Sequence, residues 1–186
     1  MFFTRLSSTA IRAKVLSETL ANSSKIYTVR ILKTYKGAAE IDQIAGTQVN
    51  STGKRRKRVV TVTTSLSSAS CGIRLDTSKV YLLLGYIEEH RLHSYSCKWH
   101  GLWKDVTLQQ RRGLKTKYGR NCACRIEKYC FKRAPETCDG MVGGCDKPET
   151  GQMAYCKRKY SFCVKTGEKC KWIIPKRAVF RKCLNN

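Results

Sequence analysis

Asn121-Cys122-Ala123-Cys124-Arg125-Ile126 stands where a cysteine-poor chain becomes a cysteine-dense one. The 121 residues before Cys122 hold only Cys71 and Cys97; the rest hold Cys122, Cys124, Cys130, Cys138, Cys145, Cys156, Cys163, Cys170 and Cys183. Such a shift predicts two domains stabilised differently: residues 1–121 are long enough to bury a core, whereas 122–186 are too short and polar to do so and read as a disulfide-stapled module.

Outward from that point, composition narrows the partners. Lys and Arg number 37 against 13 acids, a formal charge of +24, which predicts attraction to polyanions such as sulfated glycans, anionic membrane or nucleic acid. No apolar run reaches the length of a membrane span, so membrane insertion is not expected. Eleven cysteines, mostly closely spaced in the tail, point to an oxidising, extracellular compartment and a secreted protein. The sequons at Asn22 and Asn50 agree with that route as candidate glycosylation sites. The N-terminus does not: Met1 to Arg5 offers no apolar h-region, and the acid-free stretch from Met1 to Ser17 has a mitochondrial presequence as its alternative reading.

Upstream of the cysteine-rich tail the periodicity is two. Ile11, Ala13 and Val15 alternate with Arg12 and Lys14, and Tyr27, Val29 and Ile31 with Thr28 and Arg30 on to Tyr35, as half-buried strands do. A weaker strand is predicted over Ile41–Val49, and others over Val59–Thr64, Val80–Ile87 and Leu92–Cys97. Five or six short strands separated by turns predict a mainly β fold, a small closed barrel or a sandwich. Thr107-Leu108-Gln109-Gln110 has capping-box form and opens a flanking helix to Tyr118 that stops at Gly119. In the tail only Met153–Val164 reads as a strand.

Several constellations could carry chemistry. His90-x-x-His93 with Cys97 and His100 supplies four potential zinc ligands in eleven residues. Strand alternation, however, puts His93 and Cys97 on one face and His90 and His100 on the other, so neither a metal nor a cofactor is assigned. There is no Gly-rich phosphate loop, no nucleophile elbow and no convincing acid–base pair, so neither an enzyme nor a small-molecule substrate is expected. Lys54, Arg55, Arg56, Lys57 and Arg58 form a polyanion-binding candidate, with a solvated hairpin tip and a dibasic processing site as the alternatives.

Taken in order, a set of motifs resembles the tissue inhibitors of metalloproteinases. They are Ile11-Arg12-Ala13-Lys14-Val15-Leu16-Ser17-Glu18, Ser67-Ser68-Ala69-Ser70-Cys71-Gly72, Leu75-Asp76, Tyr81-Leu82-Leu83-Leu84-Gly85, Leu92-His93-Ser94-Tyr95-Ser96-Cys97, Trp103, Cys122-Ala123-Cys124-Arg125-Ile126, Cys163 and Cys170-Lys171-Trp172. The resemblance implies an OB-like (netrin-like) inhibitory barrel over 1–121, a small cysteine-rich domain over 122–186, secretion, and zinc metalloendopeptidases of the matrix type as partners. It carries protease contact onto Ser67, Ser68, Ala69, Ser70 and Cys71, and onto His93, Ser94 and Tyr95. It also implies disulfides Cys124–Cys170, Cys130–Cys138 and Cys145–Cys163, and Cys156–Cys183 follows from what remains.

The family's mature chain opens with a Cys-x-Cys segment that chelates the target's zinc, and nothing like it precedes Ile11. The resemblance therefore implies a chain truncated at its start, with weakened inhibition, and with Cys71, Cys97 and Cys122 as the cysteines whose family partners are lost, hence expected unpaired. The rival reading is a basic module that binds heparin, extracellular matrix or nucleic acid without inhibiting anything; the cysteines disfavour nucleic acid.

Overall fold

The computed structural model describes residues 8–49, 56–96, 98–121, 123–127, 144–146 and 151–185. They fall into two compact units, Arg5–Val106 and Thr107–Asn186. The division precedes the change in cysteine density because the helix after Thr107 packs with the tail.

In the first unit, β1 (Thr9–Ala21) and β2 (Ser24–Lys36) form a long antiparallel hairpin. Ile11, Ala13 and Val15 of β1 and Tyr27, Val29 and Ile31 of β2 are buried, while Arg12, Lys14, Thr28 and Arg30 are less so; period two has separated inside from outside. β2 pairs antiparallel with β4 (Arg56–Ser65), and β4 pairs parallel with β6 (Arg91–His93). β6 pairs antiparallel with β5 (Val80–Glu88), and β5 returns to β1, closing a ring of five strands. Closure satisfies the ladder groups that an open sheet would leave on its edges. Register shifts at Ala10/Ile11, Arg12/Ala13 and Val15/Ser17 give β1 the bends that so small a barrel requires. β3 (Gly46–Val49) adds to β4, and β7 (His100–Leu102) to β5.

The interior is filled by Ile11, Val15, Tyr27, Val29, Val62, Leu83 and Leu92, all fully buried, each aliphatic contributing about 1.5–3 kcal/mol of transfer free energy. Tyr27 can be buried because its hydroxyl, 3.5 Å from the Ile73 carbonyl, accepts the Leu75 amide at 3.3 Å.

Two strand expectations are corrected here. Ile41–Val49 is not one strand: α1 (Ala38–Ile44) precedes β3. Gly37, at φ +75°, ends β2 in a left-handed turn, and Ile41 and Ile44, three residues apart, both pack on the barrel core from one helix face. Leu92–Cys97 contributes only as far as His93, because buried Ser94 leaves the ladder to donate its amide to Thr63 O (3.1 Å) and its hydroxyl to Leu84 O (3.0 Å).

The second unit opens with α2 (Leu108–Arg112), started by the capping box: Thr107 Oγ1 accepts the Gln110 amide at 3.1 Å and Gln110 Oε1 accepts the Thr107 amide at 2.8 Å. The predicted helix continues as a wider i→i+5 turn over Gly113–Lys117, closed by the Tyr118 amide on Gly113 O. β8 (Arg125–Glu127) pairs parallel with β9 (Gly144–Asp146), and β10 (Phe162–Thr166) forms a hairpin with β11 (Lys169–Ile173).

Met153–Val164 is corrected too: α3 (Gln152–Tyr160) occupies most of it and only the end is β10. The apolar run from Met153 to Cys156 is too short to fix a period, and Gln, Met, Ala, Lys and Arg are good helix formers. A disulfide joins Cys156 of α3 to Cys183 of α4 (Arg177–Leu184), with Phe180 buried beside it. Two others join Cys124 to Cys170 and Cys145 to Cys163; Cys130 and Cys138 lie outside the described residues.

Candidate functional site

The loop after β4 is rich in serine because it caps itself. Ser65 Oγ accepts the Ser67 amide (3.3 Å), Ser67 Oγ accepts the Ala69 amide (3.1 Å), and the Ser68 and Ser67 carbonyls take the amides of Cys71 (3.0 Å) and Gly72 (2.9 Å). Gly72 is required, since a Cβ there would sit 2.3 Å from Ser65 O. Cys71 lies in the left-handed region, at φ 60°, which bends the chain back toward the barrel. Ser67, Ser68, Ala69 and Ser70 are consequently exposed, and Cys71 is half-buried.

The second loop, from His93, is anchored by the two Ser94 hydrogen bonds and by Gly85, where a Cβ would lie 2.1 Å from His93 O. The Ser96 amide donates to Cys71 O at 2.8 Å, tying the two loops directly together. Tyr86 of β5 faces His93 in register and stacks on its ring (centroids 5.3 Å apart, 17° between planes), while meeting Tyr95 edge-on at 6.1 Å. Burial, and then the nearby Glu88 carboxylate, push the Tyr86 phenol above its ordinary pKa, so it is neutral at physiological pH. The Lys98 ammonium lies 5.3 Å over the Tyr95 ring.

Between the loops runs a groove of about 750 Å³, lined by Ser23, Ser24, Thr63, Thr64, Ser65, Ser70, Cys71, Tyr86, His93, Ser94 and Tyr95. The fold thus gathers Ser70, Cys71, His93, Ser94 and Tyr95 in one place, with Ser67, Ser68 and Ala69 projecting beside it. Thr63 and Tyr86 are site residues that sequence reading missed. Tyr86 had one legible signal, an aromatic two positions beyond Leu84 and so on the same face of its predicted strand. Thr63 had none: its hydroxyl is buried at the groove with no hydrogen-bond partner, a fact of packing alone. The described lining offers hydroxyls, backbone groups and aromatic edges, and no carboxylate. Its chemistry is recognition of a polar, extended ligand.

The other candidates are scattered. His90 is exposed in the β5–β6 turn at φ 59°, His93 belongs to the aromatic stack, and His100 Nδ1 is 3.1 Å from Lys98 O. Among the described residues, the one cluster close enough to hold a metal is Cys124, Cys163 and Cys170, whose sulfurs are committed to disulfides. Of the basic run, Lys54 and Arg55 lie outside the described residues, Arg56 and Lys57 start β4, and the Arg58 guanidinium is engaged by the Asp42 carboxylate at 2.7 Å. Asn22 is exposed in the β1–β2 turn. Asn50, Cys97 and Cys122 lie outside the described residues.

A family model described as tissue inhibitor of metalloproteinase matches residues 5–172. Metalloproteinase inhibitor 3 of Gallus gallus is 28% identical over 137 residues, covering 69% of this chain and 58% of that protein. Metalloproteinase inhibitor 3 of Scyliorhinus torazame is 26% identical over 172 residues, 87% of this chain and 72% of the relative. Metalloproteinase inhibitor 4 of Mus musculus is 29% identical over 148 residues, 71% and 59%. The chain therefore spans between 58% and 72% of the length of these relatives.

Proposed function

Because this chain belongs to the tissue inhibitor of metalloproteinase family, whose members are inhibitors and not enzymes, we propose that the edge formed by Ser67–Cys71 and His93–Tyr95 enters the active-site cleft of a zinc metalloendopeptidase of the matrix type. The observation that carries this reading is the Ser96–Cys71 hydrogen bond, which makes two loops distant in sequence into one continuous rim. A rim held by short hydrogen bonds on a closed barrel is preorganised, so little conformational entropy is lost when it inserts into a cleft. Exposed Ser68 and Ala69 are small enough to follow a narrow groove, and the hydroxyls around them can pair with backbone groups of a protease strand. The disulfides accord with action outside the cell, and among the described residues no helix is long and apolar enough to cross a membrane.

The test is inhibition of a panel of matrix-metalloproteinase catalytic domains by the purified, oxidised chain. Inhibition of at least one is expected, and Ala69→Arg should weaken it at least tenfold, about 1.4 kcal/mol, because a long cation in the cleft blocks insertion. Thr166→Arg, on the exposed β10–β11 hairpin of the other unit, should leave it unchanged. Absence of inhibition across the panel, or equal inhibition by the Ala69 variant, would overturn the assignment.

A further inference from the structure

The groove between the two loops has a floor, and strand register says what stands on it. Val62 of β4, Leu92 of β6 and Leu83 of β5 are buried in the barrel core. Alternation then turns Thr63 and His93, one residue on, and Tyr86, three residues on, to the outer face. Thr63 is level with His93, and His93 with Tyr86, across three adjacent strands. The outward row reads hydroxyl, imidazole, phenol, and all three residues line the groove.

This row holds unused hydrogen-bonding capacity. Thr63 is only 9% exposed, and its hydroxyl is buried with no hydrogen-bond partner among the described residues. A hydroxyl shut away from water and left unpaired costs folding stability. Neighbouring hydroxyls avoid that cost: Thr64 Oγ1 accepts the Ile73 amide at 3.1 Å, and Ser94 Oγ donates to Leu84 O at 3.0 Å. A valine would fill the same space at position 63 without the penalty, so stability does not account for threonine there. Beside Thr63, the stacked His93 and Tyr86 rings, with Tyr95 edge-on, form an aromatic wall. The described lining includes no Lys, Arg, Asp or Glu. A hydroxyl that can donate or accept, next to flat rings and away from charge, suits a neutral main-chain peptide group. Ser70 and Cys71 of the rim line the same groove, so a protein surface that receives the rim also stands over Thr63.

We propose that Thr63 is a protease-binding residue: its hydroxyl hydrogen-bonds a main-chain peptide group of the protease segment that lies along the groove, while the Tyr86–His93 pair packs against the adjoining side chain. This rests on the reading of the rim as the protease-binding edge. The hydroxyl is satisfied only in the complex, so the free protein gives up stability for a hydrogen bond made on binding.

The test compares four full, oxidised chains: the parent, T63V, T63S and T61V. Thr61 is exposed two positions back on the same face of β4, outside the groove. Against a matrix metalloproteinase that the parent inhibits, T63V should weaken inhibition about five- to tenfold, the loss of one neutral hydrogen bond. Its melting temperature should equal or exceed the parent's. T63S keeps the hydroxyl and should inhibit close to the parent, and T61V should match it. Inhibition that falls while the melting temperature holds separates a ligand contact from a structural role. T63V inhibiting as well as the parent, or losing melting temperature together with inhibition, would overturn the proposal, as would an equal loss in T61V. If the parent inhibits no protease of the panel, the rim reading fails and this inference falls with it. If the parent inhibits and Ala69→Arg weakens it while T63V does not, this inference alone falls.

Discussion

At the scale of single residues, close approach fixes identities that charge and hydropathy leave open. At Gly72 an added Cβ would meet the Ser65 carbonyl, backbone that cannot swing aside, so Gly72→Ala should lower stability by roughly 1–3 kcal/mol and weaken inhibition by displacing Ser68 and Ala69. Thermal unfolding and inhibition titrations on the same preparation check both effects. Gly113 is a second such position, where a Cβ would lie 2.5 Å from Tyr118 and 2.7 Å from Phe162, two rings packed edge to face at 5.6 Å. Burial pushes the Tyr118 phenol far above its ordinary pKa. Its proton is therefore held more tightly folded than unfolded, and the linked stability, intact below the ordinary tyrosine pKa near 10, declines as pH rises above it. In an alkaline titration Tyr118 should ionise only as the second unit unfolds, so its phenolate absorbance should rise together with the loss of helical circular dichroism; Tyr118→Phe should remove that part of the alkaline destabilisation.

At the scale of elements, α2 is short and relies on its start. Thr107 caps it and also donates its hydroxyl to the Lys159 carbonyl at 3.0 Å, while the Gln110 side-chain amide donates to the Arg158 carbonyl at 3.3 Å, so one capping box also receives the end of α3. Thr107→Ala loses the cap and the contact together and should cost about 1–2 kcal/mol. Thr107→Ser keeps both and should cost much less, and denaturant midpoints of the two variants will separate the hydroxyl from the methyl. α3 and α4 are each too short to persist alone in water. The Cys156–Cys183 bridge, closing a loop of 27 residues, should contribute about 3–4 kcal/mol. Replacing both cysteines with alanine should melt the second unit early while the barrel's β-sheet circular dichroism persists, because no member of the closed ring belongs to that unit.

At the scale of the whole molecule, two units with separate means of stability carry separate surfaces, a rim on the barrel and a basic face on the disulfide-bonded unit. Inhibition by R177Q/R181Q/K182Q should therefore match the parent in a soluble assay, and inhibition titrations of the two proteins side by side check this. The sequence by itself determined the barrel's inner face, since Ile11, Ala13, Val15, Tyr27, Val29 and Ile31 follow a period that only a half-buried strand satisfies. It also determined the α2 start, because a capping box is local, and it gave the motifs through which the family is legible. Tertiary structure alone decided that Ala38–Ile44 and Gln152–Tyr160 are helices, since short apolar runs satisfy either period until a core or a disulfide selects one face. It alone decided which strands close the ring, which brought Thr63 and Tyr86 to the groove, and which cations stand on one helix. Those are contacts between residues far apart in the chain, and local pattern holds no information about which distant partner will satisfy a buried group.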